Sequence, residues 1–288
     1  MIDSHIHLSY RLFNQNFPYL DLDENGYQVK YGTRDLLIEE MRSRGVECCI
    51  EPAIDTASNK LLIDLAGQYP DFIYPAVGNH PTRCIFSPKS DFKLISEYAK
   101  TKGVIAIGET GLDYHYKRKD QHRLKQMRWF IWQIDLAHKM DLPIVFHIRD
   151  ANKDAIRIIR FNKRKIKGGV VHCFGDGPDV AKIYTEEFGF CLGIGGTLLM
   201  RPSISSELEK TVASVPMEYL MLETDSPYVK PAATIEGLSK RQWEKLRNTS
   251  FILPAVAGKI AEIKGISVED VYEITAENTR RVFGLDRK

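Results

Sequence analysis

The chain contains no apolar run near the roughly 18 residues a membrane-spanning helix needs, and its start lacks the basic residues and apolar stretch of a secretory signal. Its five cysteines (Cys48, Cys49, Cys84, Cys173 and Cys191) form no Cys-x-x-Cys spacing, and their number is odd. A disulfide framework is therefore not expected; buried thiols in a reducing, cytoplasmic setting are. Cys173 is the least certain of the five because it adjoins His172. Charge of one sign is also missing: the net charge is +2 over 288 residues, so binding to nucleic acid would have to rest on a local basic patch. No low-complexity stretch and no Pro/Gly/Ser-rich linker divides the chain, which favours one domain over residues 1–288. A hydrophobic fraction of 43% is ample for a large core.

What the chain does contain is an alternation of short β-rich runs with longer helix-periodic segments. The expected strands are Met1–His5, Glu47–Ala53, Phe72–Gly78, Gly103–Gly108, Pro143–Phe146, Gly169–His172, Phe190–Ile194 and Glu218–Leu222. They are nearly continuous apolar runs, as parallel strands buried on both faces are. Helices are expected over Thr33–Gly45, Asp120–Met140, Asp179–Phe188, Phe251–Lys264 and Val268–Phe283. Eight strands alternating with helices predict an α/β fold of the (β/α)8 TIM-barrel type. A doubly wound open sheet is the alternative, but it calls for a glycine-rich phosphate loop after the first strand, and that strand runs into His5-Ile-His7.

The residues at the C-terminal strand ends carry the chemistry. They are His5 and His7, His80, Glu109, His147, His172 and Asp225. Five of the eight histidines fall at such ends. Singly, each has an ordinary explanation: a hydrogen-bonded core histidine, a glutamate paired with an arginine, or an aspartate forming a turn. Together, on one barrel mouth, so many polar groups need a common partner, and a metal supplies one. Six donors (His5, His7, Glu109, His147, His172 and Asp225) suit two divalent ions better than one, and Glu109 on the central strand is placed to bridge them. Imidazole with carboxylate suits Zn²⁺, Mn²⁺ or Fe²⁺, and Mg²⁺ less well.

His5-Ile-His7, Gly108-Glu109-Thr-Gly-Leu-Asp113-Tyr114, His172-Cys-Phe and Glu223-Thr-Asp225-Ser-Pro-Tyr228 resemble the signature segments of the TatD family of metal-dependent deoxyribonucleases, within the amidohydrolase-like barrels. The likeness runs from Met1 to about Gly284 and includes the closing Ile-Thr-Ala-Glu-Asn-Thr-Arg-Arg-Val-Phe stretch. It implies one metal on His5, His7, Glu109 and Asp225, and a second on Glu109, His147 and His172. Glutamate on strand four, where many amidohydrolases carry a modified lysine, points to this branch. The implied activity is hydrolysis of DNA phosphodiester bonds, exonucleolytic, through water activated to hydroxide between two divalent metals. Single strands or DNA ends are the expected partner, with neither a membrane nor an obligatory protein partner. Asp225 is the candidate proton acceptor, His80 a phosphate contact or proton donor, and Asp113 and Arg149 orienting groups; Tyr114 is a candidate substrate contact.

Two segments, Ser9–Gly32 and Lys230–Arg247, look extended relative to the family, and both belong to the mouth. The first brings Tyr10, Phe13, Phe17, Tyr19, Tyr27 and Tyr31, which either stack bases or pack over the barrel. Basic residues cluster at His115-Tyr-Lys-Arg-Lys119 with His122, Arg123 and Lys125, and at Lys230, Lys240, Arg241, Lys245 and Arg247. Lys240 and Arg241 are the expected DNA contacts there. The equally basic stretch from Arg160 to Lys167 precedes strand six, so it is read as solvated surface on the other face. The alternative function keeps the metals and changes the substrate to a small phosphoester or to an amide or ester metabolite.

Overall fold

The computed structural model describes residues 1–23, 26–115, 120–232 and 238–285. The expected basic residues Lys117, Arg118 and Lys119 lie outside the described residues. One parallel sheet contains β1 (Ile2–Asp3), β4 (Cys48–Pro52), β5 (Ile73–Val77), β6 (Ala106–Asp113), β7 (Ile144–Arg149), β8 (Gly169–Val171), β9 (Cys191–Ile194) and β10 (Leu220–Leu222), neighbours in that order. An antiparallel hairpin, β2 (Phe17–Asp23) and β3 (Gly26–Gly32), intervenes after β1. The connections carry α1 (Arg34–Ser43), α2 (Thr56–Gln68), α3 (Pro81–Cys84), α4 (Lys89–Tyr98), α5 (Asp120–Met140), α6 (Asn152–Asn162), α7 (Pro178–Lys182), α8 (Pro202–Ser214) and α9 (Lys240–Lys245). Helices α10 (Leu253–Lys264) and α11 (Val268–Phe283) end the fold.

The strand order never reverses, which excludes the doubly wound alternative. The sheet closes where β10 meets β1. Ser4 N–H donates to Leu222 O at 2.9 Å, Asp225 N–H to His5 O at 2.9 Å and His7 N–H to Ser226 O at 2.8 Å. Ile50, Ala76, Ala106, Val145, Val170, Cys191 and Met221, one from each of β4 to β10, form one cluster with Phe283 of α11. Flanking residues Ile107, Ile144, Phe146, Val171 and Leu192 pack instead with Trp129, Phe130 and Ile134 of α5. This period-two division separates barrel interior from helix layer.

The element bounds depart from the sequence pattern in informative places. β1 stops at Asp3 because its continuation divides its hydrogen bonds between Ile50 and Ser226. β6 starts later than expected and runs on through Glu109 to Asp113. α7 ends at Lys182 and widens into a π turn over Ile183–Glu187. The turn before α10 is 3-10, with Pro254 inside the first turn of the helix proper. Cys48, Cys49, Cys84 and Cys191 are buried, and Cys173 is half-buried. Among the described residues, no helix is long and apolar enough to cross a membrane.

Asp3 fixes the closure. Fully buried, it accepts from Thr224 N–H (3.1 Å), Thr224 Oγ1 (2.8 Å), Ser250 Oγ (2.7 Å) and His5 N–H (3.3 Å), so one carboxylate ties β1 to the two segments that complete the mouth. Asp3→Ala strands several buried donors at roughly 1–3 kcal/mol each. The expected loss is about 3 kcal/mol or more, read as a lower urea midpoint; a loss below about 1 kcal/mol would show that the closure does not depend on this residue.

Candidate metal centre

Glu109 sits near the middle of β6, and local sequence explains how it gets there. At Gly108 a Cβ would stand 2.6 Å from the Val145 Cβ, and at Gly111, with φ +149°, a Cβ would overlap the His147 carbonyl. Glycine on both sides lets β6 lie against β7 closely enough to present Glu109 to the barrel axis. Two buried glutamines of α5 clamp the strand ends. Gln126 exchanges hydrogen bonds with the Asp113 backbone, 3.0 Å each way. Gln133 accepts from Asn79 N–H at 2.8 Å and donates to Thr110 Oγ1 at 2.7 Å.

The two oxygens of Glu109 face different neighbours. Oε1 lies 3.2 Å from His7 Nε2 and 3.4 Å from His5 Nε2. Asp225 Oδ1 joins that group, 3.4 Å from His7 Nε2 and 3.7 Å from His5 Nε2, and the two imidazole nitrogens are 3.3 Å apart. Oε2 lies 3.0 Å from His172 Nε2 and 3.3 Å from His147 Nδ1, which are themselves 2.9 Å apart. Donor atoms around an ion with bonds near 2.1 Å stand about 3.0–3.4 Å from one another in octahedral or tetrahedral shells. Both groups lie close to that spacing, from 2.9 to 3.7 Å, so the residues of each could hold a divalent ion. Among the described residues, the buried Nδ1 atoms of His5 and His172 find no hydrogen-bond partner.

The carboxylates and imidazoles of the site act strongly on one another. Burial lowers the pKa of His5 to about 4, helped by His172. Burial also opposes charge on His7, yet hydrogen bonds to Asp225 and Glu109 hold it up at about 10. Glu109 lies well below the usual carboxylate range, because His172, His5 and His80 outweigh its burial. For His147, burial is outweighed by Asp113 and Glu109, and its pKa rises to about 9. Its Nε2–H donates to Asp113 Oδ2 at 3.2 Å, which turns Nδ1 toward Glu109 and gives Asp113 an orienting position.

His80 is the N-cap of α3: its Nδ1 accepts from Thr82 N–H at 3.1 Å. The proton then resides on Nε2, which points at Glu109 Oε2 from 3.6 Å. Burial, with His147 next, lowers its pKa to about 3. His80 is therefore a neutral hydrogen-bond donor at the rim of the second group.

These residues form the floor of a cleft of about 680 Å³ whose walls include Tyr10, Arg11, Leu12, Leu61, Arg83, Arg149 and Tyr228. The side chains of Arg11, Arg83 and Arg149 are exposed and make no ion pair with any described residue. Tyr114 lies outside the cleft lining, donating to Asp154 at 3.0 Å beneath Arg123. Lys240 and Arg241 are exposed on α9, also outside the lining. Phe13, Phe17 and Tyr19 are buried core, so of the two roles open to them they take packing over the barrel.

Sequence reading passed over Asp3, Glu51, Arg83, the two glutamines and Glu223. Glu51, fully buried, accepts from Ser9 N–H at 2.5 Å and holds the turn after His7. Glu223 accepts from Cys173 N–H at 2.5 Å, beside His172. Only Glu223 carried a signal, its place in the Glu-Thr-Asp run.

Comparison with known proteins agrees with this geometry. The model of the family described as TatD related DNase matches residues 2–284. An uncharacterized metal-dependent hydrolase, YabD of Bacillus subtilis, is 29% identical over 286 residues, 99% of this chain and 100% of the relative. A protein of Erwinia tasmaniensis named 3'-5' ssDNA/RNA exonuclease TatD is 28% identical over 253 residues, 88% of this chain and 94% of its own. The crystal structure of YjjV, a TatD homologue from Escherichia coli, superposes with a TM-score of 0.82 at 22% identity, covering 99% of this chain and 98% of that one. A closed parallel barrel, clustered histidine and carboxylate donors and a family match over nearly the full length converge: the chain belongs to the TatD-related DNase family of metal-dependent hydrolases.

Proposed function

We propose that the protein is a deoxyribonuclease that removes nucleotides from the ends of single-stranded DNA with two divalent ions, Zn²⁺, Mn²⁺ or Mg²⁺. The division of Glu109, one oxygen toward each donor group, carries the reading. In it, His5, His7, Glu109 and Asp225 hold one ion, and Glu109, His147 and His172 hold the other. Bound there, the ions would supply Lewis acidity toward a phosphate oxygen and lower the pKa of a water. Asp225 accepts the proton of the attacking water. His80 offers Nε2–H to a phosphate oxygen, and its low pKa favours this contact over proton delivery. Asp113 keeps His147 in register. One domain spanning residues 1–288 does this without an obligatory protein partner.

The choice of phosphodiester over amide or ester rests on the cleft's arginines. A guanidinium fork matches phosphate geometry, and Arg11, Arg83 and Arg149 are left without carboxylates while Asp55, in the same wall, is engaged in capping α2 through Ser58 N–H at 2.9 Å. Lys240 and Arg241 serve as an outer electrostatic contact. The name of the Erwinia relative supports single strands entered from the 3′ end.

Chelated protein reloaded with Mg²⁺, Mn²⁺ or Zn²⁺ is expected to shorten end-labelled single-stranded DNA stepwise. Glu109→Ala should lower kcat/KM by about a thousandfold or more and reduce bound metal from two ions to one or none. Near-normal turnover in that variant would sink the two-metal reading. Arg83→Ala should raise KM for DNA about tenfold and flatten its salt dependence; the Lys240→Ala/Arg241→Ala pair should change the salt slope with a smaller effect on KM. An unaltered slope would place those side chains outside the DNA path.

A further inference from the structure

The mouth keeps two large aromatic rings partly in water. Tyr10 is 37% exposed and Tyr228 is 44% exposed, with ring centroids 6.1 Å apart at a tilt of 58°. Neither hydroxyl hydrogen-bonds to a described residue. Leu12 and Leu61, 40% and 42% exposed, line the same cleft. Elsewhere in the first insertion Phe13, Phe17 and Tyr19 are 5% exposed or less, Tyr27 is half-buried, and Tyr31, though 65% exposed, lies outside the cleft lining.

Both rings are held by built structure. Arg34 donates from Nε to Leu8 O at 2.6 Å and from Nη2 to Asn14 Oδ1 at 2.5 Å, bracketing the turn that bears Tyr10. Phe13, fully buried against Phe17 at 4.6 Å, anchors the far side of that turn. Tyr228 N–H donates to Asp225 O at 2.8 Å, so this ring is indexed to a residue of the donor cluster, and its centroid is 6.0 Å from that of His7. The result is an apolar platform immediately beside the donor groups, in a wall otherwise supplied with unpaired guanidiniums. Phosphate alone would not call for such a surface; a nucleobase beside the phosphate would.

We propose that Tyr10 and Tyr228 form a stacking platform for the terminal nucleobase next to the scissile phosphate, so that the enzyme selects an unpaired, base-bearing end. The proposal rests on the nuclease reading above and deepens it. The two rings already touch, so the base lies on their outer face rather than between them. Stacking on a π face accepts any base, which gives end selection without sequence selection. Tyr10 comes from the first insertion and Tyr228 from the turn after β10.

The test compares single-stranded oligonucleotides ending in thymidine with the same strands ending in an abasic deoxyribose, placed at either terminus. Wild type should prefer the base-bearing end by about tenfold to a hundredfold in kcat/KM. Tyr10→Ala and Tyr228→Ala should shrink that ratio to about threefold or less, whereas Tyr10→Phe should retain it. A terminal 2-aminopurine should lose fluorescence on binding wild type and Tyr10→Phe, but not Tyr10→Ala. Equal cleavage of the two ends by wild type, or an unchanged ratio in both alanine variants, overturns the platform and leaves the nuclease reading intact. If no oligonucleotide is cleaved, the nuclease reading fails; quenching confined to proteins with a ring at position 10 would still establish a nucleobase site, and its absence would remove that too.

Discussion

A buried carboxylate facing five imidazoles governs this molecule. Glu109 is 3% exposed, and a lone charge so far from water would cost several kcal/mol. His172, His5 and His80 overcome that cost and keep the group ionised. The surrounding structure serves this placement: glycines that let β6 approach β7, glutamines from α5 that lock the strand ends, and an aspartate that turns His147 inward. The same convergence of imidazole nitrogens and carboxylate oxygens at close spacing makes a cation a natural counterpart, because each of these groups carries a lone pair that a metal can accept.

Closure of the barrel is the second dependency. The histidines just after β1 and the aspartate after β10 belong to one donor group only because the first and last strands meet. Asp3 makes that meeting specific, and the insertions reinforce it from above: Leu20 N–H donates to Arg247 O at 2.8 Å and Arg247 N–H to Pro18 O at 3.0 Å, so the hairpin and the segment after β10 brace each other over the mouth. Cleft shape therefore follows from long-range contacts between the two segments that make this chain longer than its pattern requires.

Charge tells a related story. A nearly neutral chain carries several basic stretches, and their density along the sequence does not reveal which face ligands. On the side away from the mouth, Arg160 pairs with Glu187, Lys165 with Asp135 and Lys167 with Asp141, each at 2.7 Å. Inside the cleft, Arg11, Arg83 and Arg149 make no ion pair with any described residue. The free guanidiniums, rather than the richest basic runs, mark where an anion would be drawn.

Much was legible in the sequence because a parallel barrel maps chain order onto space. Every strand's C-terminal end reaches one rim, so His5, His7, His80, Glu109, His147, His172 and Asp225 announce a common site once eight strands are recognised. The identities of the candidate donor residues, and the glycines around Glu109, are local properties that sequence alone determines. Tertiary structure decided the rest. Which Glu109 oxygen faces which group depends on a rotamer fixed by β7 and α5. That His80 turns Nδ1 to the backbone and Nε2 toward Glu109 depends on its becoming the N-cap of a four-residue helix. Whether an aromatic in the insertion is core, like Phe13, or cleft wall, like Tyr10, depends on which side of the 3-10 turn before the hairpin it occupies. Lys240 and Arg241 looked equivalent to the cleft cations until the chain's path placed them outside it. Each of these outcomes turns on contacts between residues distant in sequence, which periodicity and spacing do not encode.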